Sequence, residues 1–184
     1  MTILIAIALR FFWLGFEVYQ RRRFPAAGDK DLDRHSGRLW DIANTIEVLG
    51  LVLAYFGVGH FDQSILVQLC ALFLLTTGIA IRITAIKTLG HLFTSEVTIR
   101  NDHRIMTNGL YQYVRHPAYT GALIGHAGLG LAFGSWISLL LSTIPFLVAA
   151  FYRIRVEERA LVLFFGQDYS RYAATTGRLF PKLH

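Results

Sequence analysis

The sequence predicts an all-α, polytopic integral membrane protein, and three observations carry the prediction. Hydrophobic residues fill 54% of the 184 positions and charged residues only 16%, with a mean hydropathy of +0.45, far from an ordinary soluble composition. The charges are bunched between long apolar runs, whereas a soluble helical surface needs them spread along each helix. The basic residues behind the net charge of +6 sit at the ends of those runs as topology signals, and they form neither a basic stripe nor a nucleic-acid module. No nucleic-acid partner is expected. The single Cys70 allows no intramolecular disulfide and no cysteine metal cluster, and reads as a small packing hydrophobe.

About five spans follow from the apolar runs. The first, near residues 2–19, is rich in aromatics and has no small-residue cleavage site, which separates it from a signal peptide. Arg21, Arg22 and Arg23 close it, and a polar stretch with Pro25, Gly28, Asp29, Asp31 and Asp33 reads as an exposed loop up to Arg38. A second span covers about 42–58. The turn through Gly59, His60, Phe61 and Asp62 is so short that the third span, about 64–86, must return as an antiparallel hairpin partner. From Lys87 to Arg115 runs the longest polar loop, with His91, His103 and an Asn108-Gly109 turn.

The fourth span, about 119–133, carries Gly121, Gly125, Gly128 and Gly130, which let a neighbouring backbone or a ligand come close. The fifth begins at Trp136, passes Pro145 to about Tyr152, and continues as helix to Phe165, followed by a polar tail to His184. This makes one membrane-embedded domain over 1–184, with three N-terminal spans in 1–86 and a two-span core with its tail in 87–184. All basic clusters except Arg10 fall on one side, which marks that side as cytoplasmic and sends the N-terminus outward. A location in the cell (inner) membrane is expected, with the long loop and the tail facing each other on the cytoplasmic surface.

Two clusters carry chemistry. Proline suits the first turn of a helix and disfavours helix in the residue before it, so Pro117 starts the fourth span and holds His116 extended at its mouth, beside Arg115 and Tyr119. Amides there could bind a ligand carboxylate; alternatively the aromatics and arginine form only an interfacial anchor belt. The second cluster is Arg153, Arg155, Glu157, Glu158 and Arg159, where the fifth helix leaves the bilayer. Arg153 and Glu157 share a helical face at a spacing of four, either as a site or as an ordinary surface ion pair.

Taken together, the string Arg115, His116, Pro117, Ala118, Tyr119, then an apolar span, then Glu157 and Glu158 resembles the isoprenylcysteine carboxyl methyltransferase family and its phospholipid-methylating relatives. The likeness continues through Phe164, Phe165, Gly166, Tyr169 and Tyr172, and upstream through His103 to Met106 and the Gly109, Leu110, Tyr111 turn; it covers roughly residues 88–182. The resemblance implies an S-adenosylmethionine-dependent methyltransferase that leaves S-adenosylhomocysteine as product. It implies a cofactor pocket formed by Glu96, His103, Arg104, Ile105, Met106, Tyr111, His116, Pro117, Ala118, Tyr119 and Glu157, with Arg153 orienting the substrate and no metal. Glu96 stands where an amide can occur in the family, and Arg155 with Val156 replaces a more acidic run.

The residue types suit that cofactor, whose amino group, carboxylate and sulfonium call for an acid, donors and aromatic faces. Methyl transfer needs in-line positioning and exclusion of water more than covalent help, and a carboxylate acceptor is already ionised at neutral pH. The resemblance implies a lipophilic substrate from the bilayer as the partner, with a carboxylate such as that of an isoprenylcysteine-like molecule as the acceptor. The alternatives are a phospholipid or amine methyltransferase, a sterol-reductase-like oxidoreductase using a nicotinamide cofactor, and a membrane scaffold without activity. Within the spans, Glu17 and Asn44 are expected to snorkel or pair with the arginine loop, Glu47 could line a substrate tunnel, and His126 reads as a hydrogen-bonded packing residue.

Overall fold

The computed structural model describes residues 1–24, 36–94 and 103–182. Five long helices dominate: α1 (Thr2–Arg23), α2 (Ser36–Tyr55), α3 (Ile65–Leu89), α4 (Pro117–Ala132) and α5 (Trp136–Phe165), followed by the short α6 (Gln167–Thr175). No β-strand occurs among the described residues, as the all-α prediction requires. Among those residues, Thr2–Arg23, Ile65–Leu92 and Trp136–Phe165 are long and apolar enough to cross a membrane. The protein is a multi-pass helical membrane protein. The other two long helices are less apolar or shorter: α2 carries Arg38, Asp41 and Glu47, and α4 has 16 residues.

The helices alternate in direction, and their neighbours follow from where small residues lie. Thr2 bonds Gln68 and Glu17 pairs with Arg82, so α1 runs parallel to α3, whereas Arg10 meets Glu47 on an opposed α2. The principal partner of α3 is α4, and that of α2 is α5. α3 does return antiparallel to α2 across the short turn, as expected, but the two are not each other's principal packing partners. The loop between them is short, but packing in a bilayer is decided by close backbone approach, because lipid is as apolar as leucine. A Cβ at Gly121 would lie 2.6 Å from the amide nitrogen of Arg82, and one at Gly78 2.6 Å from the carbonyl oxygen of Gly121. Only glycine lets α3 and α4 touch this way.

The two ends of the bundle differ. At one end the turns are tight and stitched to each other: Phe61 N donates to Gly134 O at 3.0 Å, Trp136 N to Gly59 O at 3.0 Å, and Gln63 Nε2 to Leu131 O at 2.7 Å. Gly59 and Gly134 adopt φ of 69° and 65°, the left-handed region that other residues rarely occupy. At the other end the chain segments are longer and hold the polar chemistry. The core between them is built on Leu75, Leu129, Phe146 and Ile154, all fully buried, while α1 presents Leu4, Phe11 and Phe12 to the surroundings.

Candidate functional site

Pro117 occupies the first turn of α4, as expected, and His116 is its N-cap residue, with φ −125° and ψ 56°: outside the helical region, but short of the extended conformation expected for it. The loop before α4 and the tail after α5 meet here, as their expected placement on one side requires. Arg115 N donates to Gly177 O at 2.8 Å and His116 N to Arg178 O at 3.1 Å, so these amides serve the tail and are not donors awaiting a ligand carboxylate. Thr120 Oγ1 donates to Leu179 O at 2.7 Å and Tyr172 Oη to Tyr111 O at 2.6 Å. The tail is thereby fastened over the start of α4.

Between these segments lies a cavity of about 260 Å³. Ten of the twelve residues expected at the site border it: His103, Arg104, Ile105, Met106, Tyr111, His116, Ala118, Tyr119, Arg153 and Glu157. Pro117 is buried and sets the helix start without lining the cavity, because its ring is spent on α4's first turn. Glu96 lies outside the described residues.

One connected network spans the cavity wall. Arg153, 6% exposed, donates from Nε to Tyr119 Oη at 2.9 Å and from Nη1 to Ser36 Oγ at 3.1 Å. Tyr119 Oη in turn donates to Glu157 Oε2 at 3.1 Å. His116 lies between two carboxylates, with Nδ1 3.9 Å from Glu157 Oε2 and Nε2 3.2 Å from Glu158 Oε1. Glu158 also receives Arg115 Nε at 3.0 Å and Arg178 Nη2 at 2.6 Å, so it locks loop to tail. Glu157 keeps about a third of its side chain exposed (34%), against 14% for Glu158. It is the carboxylate with room for a ligand.

Burial also sets the state of the tyrosines outside the spans. It pushes the Tyr172 phenol up to about 12, and it raises Tyr169 further, with the nearby Glu158 and Glu157 charges adding to the effect. Tyr111 is raised by burial and by the Glu157 charge. All three therefore stay neutral at ordinary pH and act as hydroxyl groups, not phenolates. Tyr169 Oη is buried, borders the cavity, and has no hydrogen-bond partner among the described residues. A buried hydroxyl left unsatisfied costs free energy, so a polar group entering the cavity has a ready partner.

Sequence reasoning missed a buried cation in this wall. Arg82 is 6% exposed, borders the cavity, donates from Nη1 to Ala118 O at 3.0 Å, pairs through Nε with Glu17, and lies 5.6 Å from the Trp40 ring centre. It reads as a topology charge in the sequence, although an arginine within a long apolar helix is itself a functional signal. Glu17 is likewise corrected: it pairs with Arg82 across the bundle and receives Trp13 Nε1 at 3.0 Å, where pairing with the arginine loop was expected. Glu47 does not line this cavity and instead joins Arg10 and His126 in a buried cluster.

Fold and site define an all-helical, multi-pass membrane protein whose polar cavity, bordered by three acids, five arginines and four tyrosines, opens where the helices end on one side. The chain belongs to the isoprenylcysteine carboxyl methyltransferase (ICMT) family, whose model matches residues 70–163. It is 36% identical over 107 residues to protein-S-isoprenylcysteine O-methyltransferase of Schizosaccharomyces pombe, covering 57% of this chain and 45% of that protein. It is 33% identical over 134 residues to a probable protein-S-isoprenylcysteine O-methyltransferase of Oryza sativa subsp. indica, covering 67% and 70%. In structure it resembles the eukaryotic intramembrane Ras methyltransferase ICMT with a TM-score of 0.63 and 26% identity, over 77% of this chain and 52% of that one. The chain thus spans about half the length of several relatives it matches.

Proposed function

We propose that the protein is an integral-membrane methyltransferase that uses S-adenosylmethionine to methylate the carboxylate of a lipophilic, isoprenylcysteine-like molecule. The observation that carries this reading is the joining of Glu157, Tyr119 and Arg153 in one hydrogen-bonded network on the wall of a single cavity, in a chain of this family. The residues fit the cofactor chemically. Glu157, one-third exposed, offers oxygens to an ammonium group; Tyr111 and Tyr119 supply aromatic faces for a sulfonium; and the unsatisfied Tyr169 hydroxyl awaits a polar partner. The bound cofactor would supply an electrophilic methyl group.

The remaining work falls to the chain. Arg153, held by Tyr119 and Ser36, keeps its guanidinium fixed against the cavity, and Arg82 adds another buried positive charge to the same wall. An acceptor carboxylate would be drawn there and held with its oxygen aimed at the methyl, already ionised and in need of no base. His116, wedged between Glu157 and Glu158, fixes the distance between the cofactor side and the loop-tail lock. An orientation with this end cytoplasmic, and the five long helices all spanning, is part of the same proposal, supported by the basic residues gathered at this end.

The test is radiolabelled methyl transfer to a farnesylated cysteine with a free carboxylate, beside its carboxamide and beside phosphatidylethanolamine. A base-labile methyl ester on the carboxylate alone is expected, with kcat/KM falling about tenfold to a hundredfold in Arg153→Ala. Methyl transfer to the amine, or to neither acceptor, would sink the carboxyl reading.

A further inference from the structure

Thirty residues of α5 at about 1.5 Å each reach roughly 45 Å, against a hydrocarbon core of about 30 Å, so the helix outruns the bilayer. Its last turns divide by face. Arg153, Glu157, Ala160 and Leu161 border the cavity. Arg155, Arg159 and Val162, spaced four and three apart, share an outward stripe, and with Leu163, Glu158 and Arg178 they line a second, open depression of about 440 Å³.

Positive charge is in surplus there. Arg155 and Arg159 are exposed and have no carboxylate partner among the described residues. Glu158, the acid of the depression, is already shared by Arg178, Arg115 and His116. Seven and four residues before Arg155, on the same side of α5 and nearer the bilayer, stand exposed apolar side chains: Val148 is 60% exposed and Phe151 40%. Arginine forks match phosphate oxygens in pairs, and basic residues interleaved with apolar ones suit the headgroup layer of a membrane.

We propose that this outward face of α5 binds the headgroup phosphate of an anionic phospholipid, gripped by Arg155 and Arg159, with Val148 and Phe151 against its glycerol and upper acyl chain. The occupant must be both negative and partly apolar. A second copy of the chain fits poorly, because its exposed residues at the same end include Arg21, Arg22 and Lys87 and would bring like charge. Free phosphate would leave the apolar rim uncovered.

The full chain in detergent is titrated with dioleoylphosphatidylglycerol, with dioleoylphosphatidylcholine and with inorganic phosphate, reading the unfolding midpoint and the lipid retained in native mass spectrometry. Phosphatidylglycerol is expected to raise the midpoint saturably and the other two are not. Arg155→Gln/Arg159→Gln should weaken its binding about thirtyfold, from about 1 kcal/mol for each basic residue, while Arg155→Lys/Arg159→Lys keeps most of it, which separates lost charge from a damaged fold. Equal response to both lipids, a shift reproduced by phosphate, lipid-driven dimers, or undiminished binding in the Gln variant would each overturn the proposal. None of these readouts depends on methyl transfer.

Discussion

Two buried polar clusters occupy this bundle, and they are built to opposite ends. In the first, Glu47 is 1% exposed, pairs with His126, and receives Arg10 Nη2 at 3.0 Å and Nε at 3.2 Å. Arg10 also donates to Asn44 Oδ1 at 3.0 Å, and the His126 ring stacks on Phe146 with centres 3.5 Å apart. Each of these ionisable side chains finds its partner inside the protein, and none of them lines the site cavity or the depression beside α5. In the second cluster, Glu157 is one-third exposed, Tyr169 keeps an unsatisfied hydroxyl, and both border open space. A closed network joins α1, α2 and α4; an open one is free to join a ligand. Burial of charge alone therefore does not mark a site in a membrane protein, whereas incomplete satisfaction beside a cavity does.

The comparison can be broken first at its closed member. Glu47→Ala leaves His126 and Arg10 facing each other without an acid, and should cost about 3–5 kcal/mol, as breaking a buried ion pair does. Thermal unfolding in detergent checks this. A variant that unfolds at the parent's midpoint would mean the cluster holds nothing together. At the open member the effect should be small and of another kind. Tyr169→Phe removes a hydroxyl with no hydrogen-bond partner among the described residues, so the unfolding midpoint should hold or rise slightly, while affinity for S-adenosylhomocysteine falls by about fivefold, the worth of one ordinary hydrogen bond. An equal loss of stability would place Tyr169 with the structural residues.

The same contrast explains what was legible in the sequence. Pro117 bars helix in the residue before it and suits the first turn after it, so the start of α4 could be placed from neighbours alone, although not the backbone angles of His116. Helix ends were less certain: α1 runs on to Arg23 and α3 to Leu89, because basic residues are welcome at a helix C-terminus and do not stop it. Topology signals foretold that loop and tail share one side, but not that Arg115 and His116 spend their amides on Gly177 and Arg178. Partners such as Glu47 with His126 and Glu17 with Arg82 lie far apart in the chain, and no periodicity reports a contact across helices. The pairing of α3 with α4 was written in glycines on both helices, yet only Gly78 read against Gly121 reveals it. The residues near Glu157 were found through family likeness, which sees motifs and misses Arg82.

The account stands or falls on whether the open cavity is a cofactor site. Calorimetric titration of the detergent-purified protein with S-adenosylhomocysteine, alongside Glu157→Ala and a nicotinamide cofactor control, asks this directly. Saturable binding by the parent is predicted, weakened tenfold or more in Glu157→Ala through loss of a charge-assisted hydrogen bond, with no heat from the nicotinamide. Absence of binding by a folded parent, or binding of the nicotinamide in its place, would contradict the methyltransferase reading.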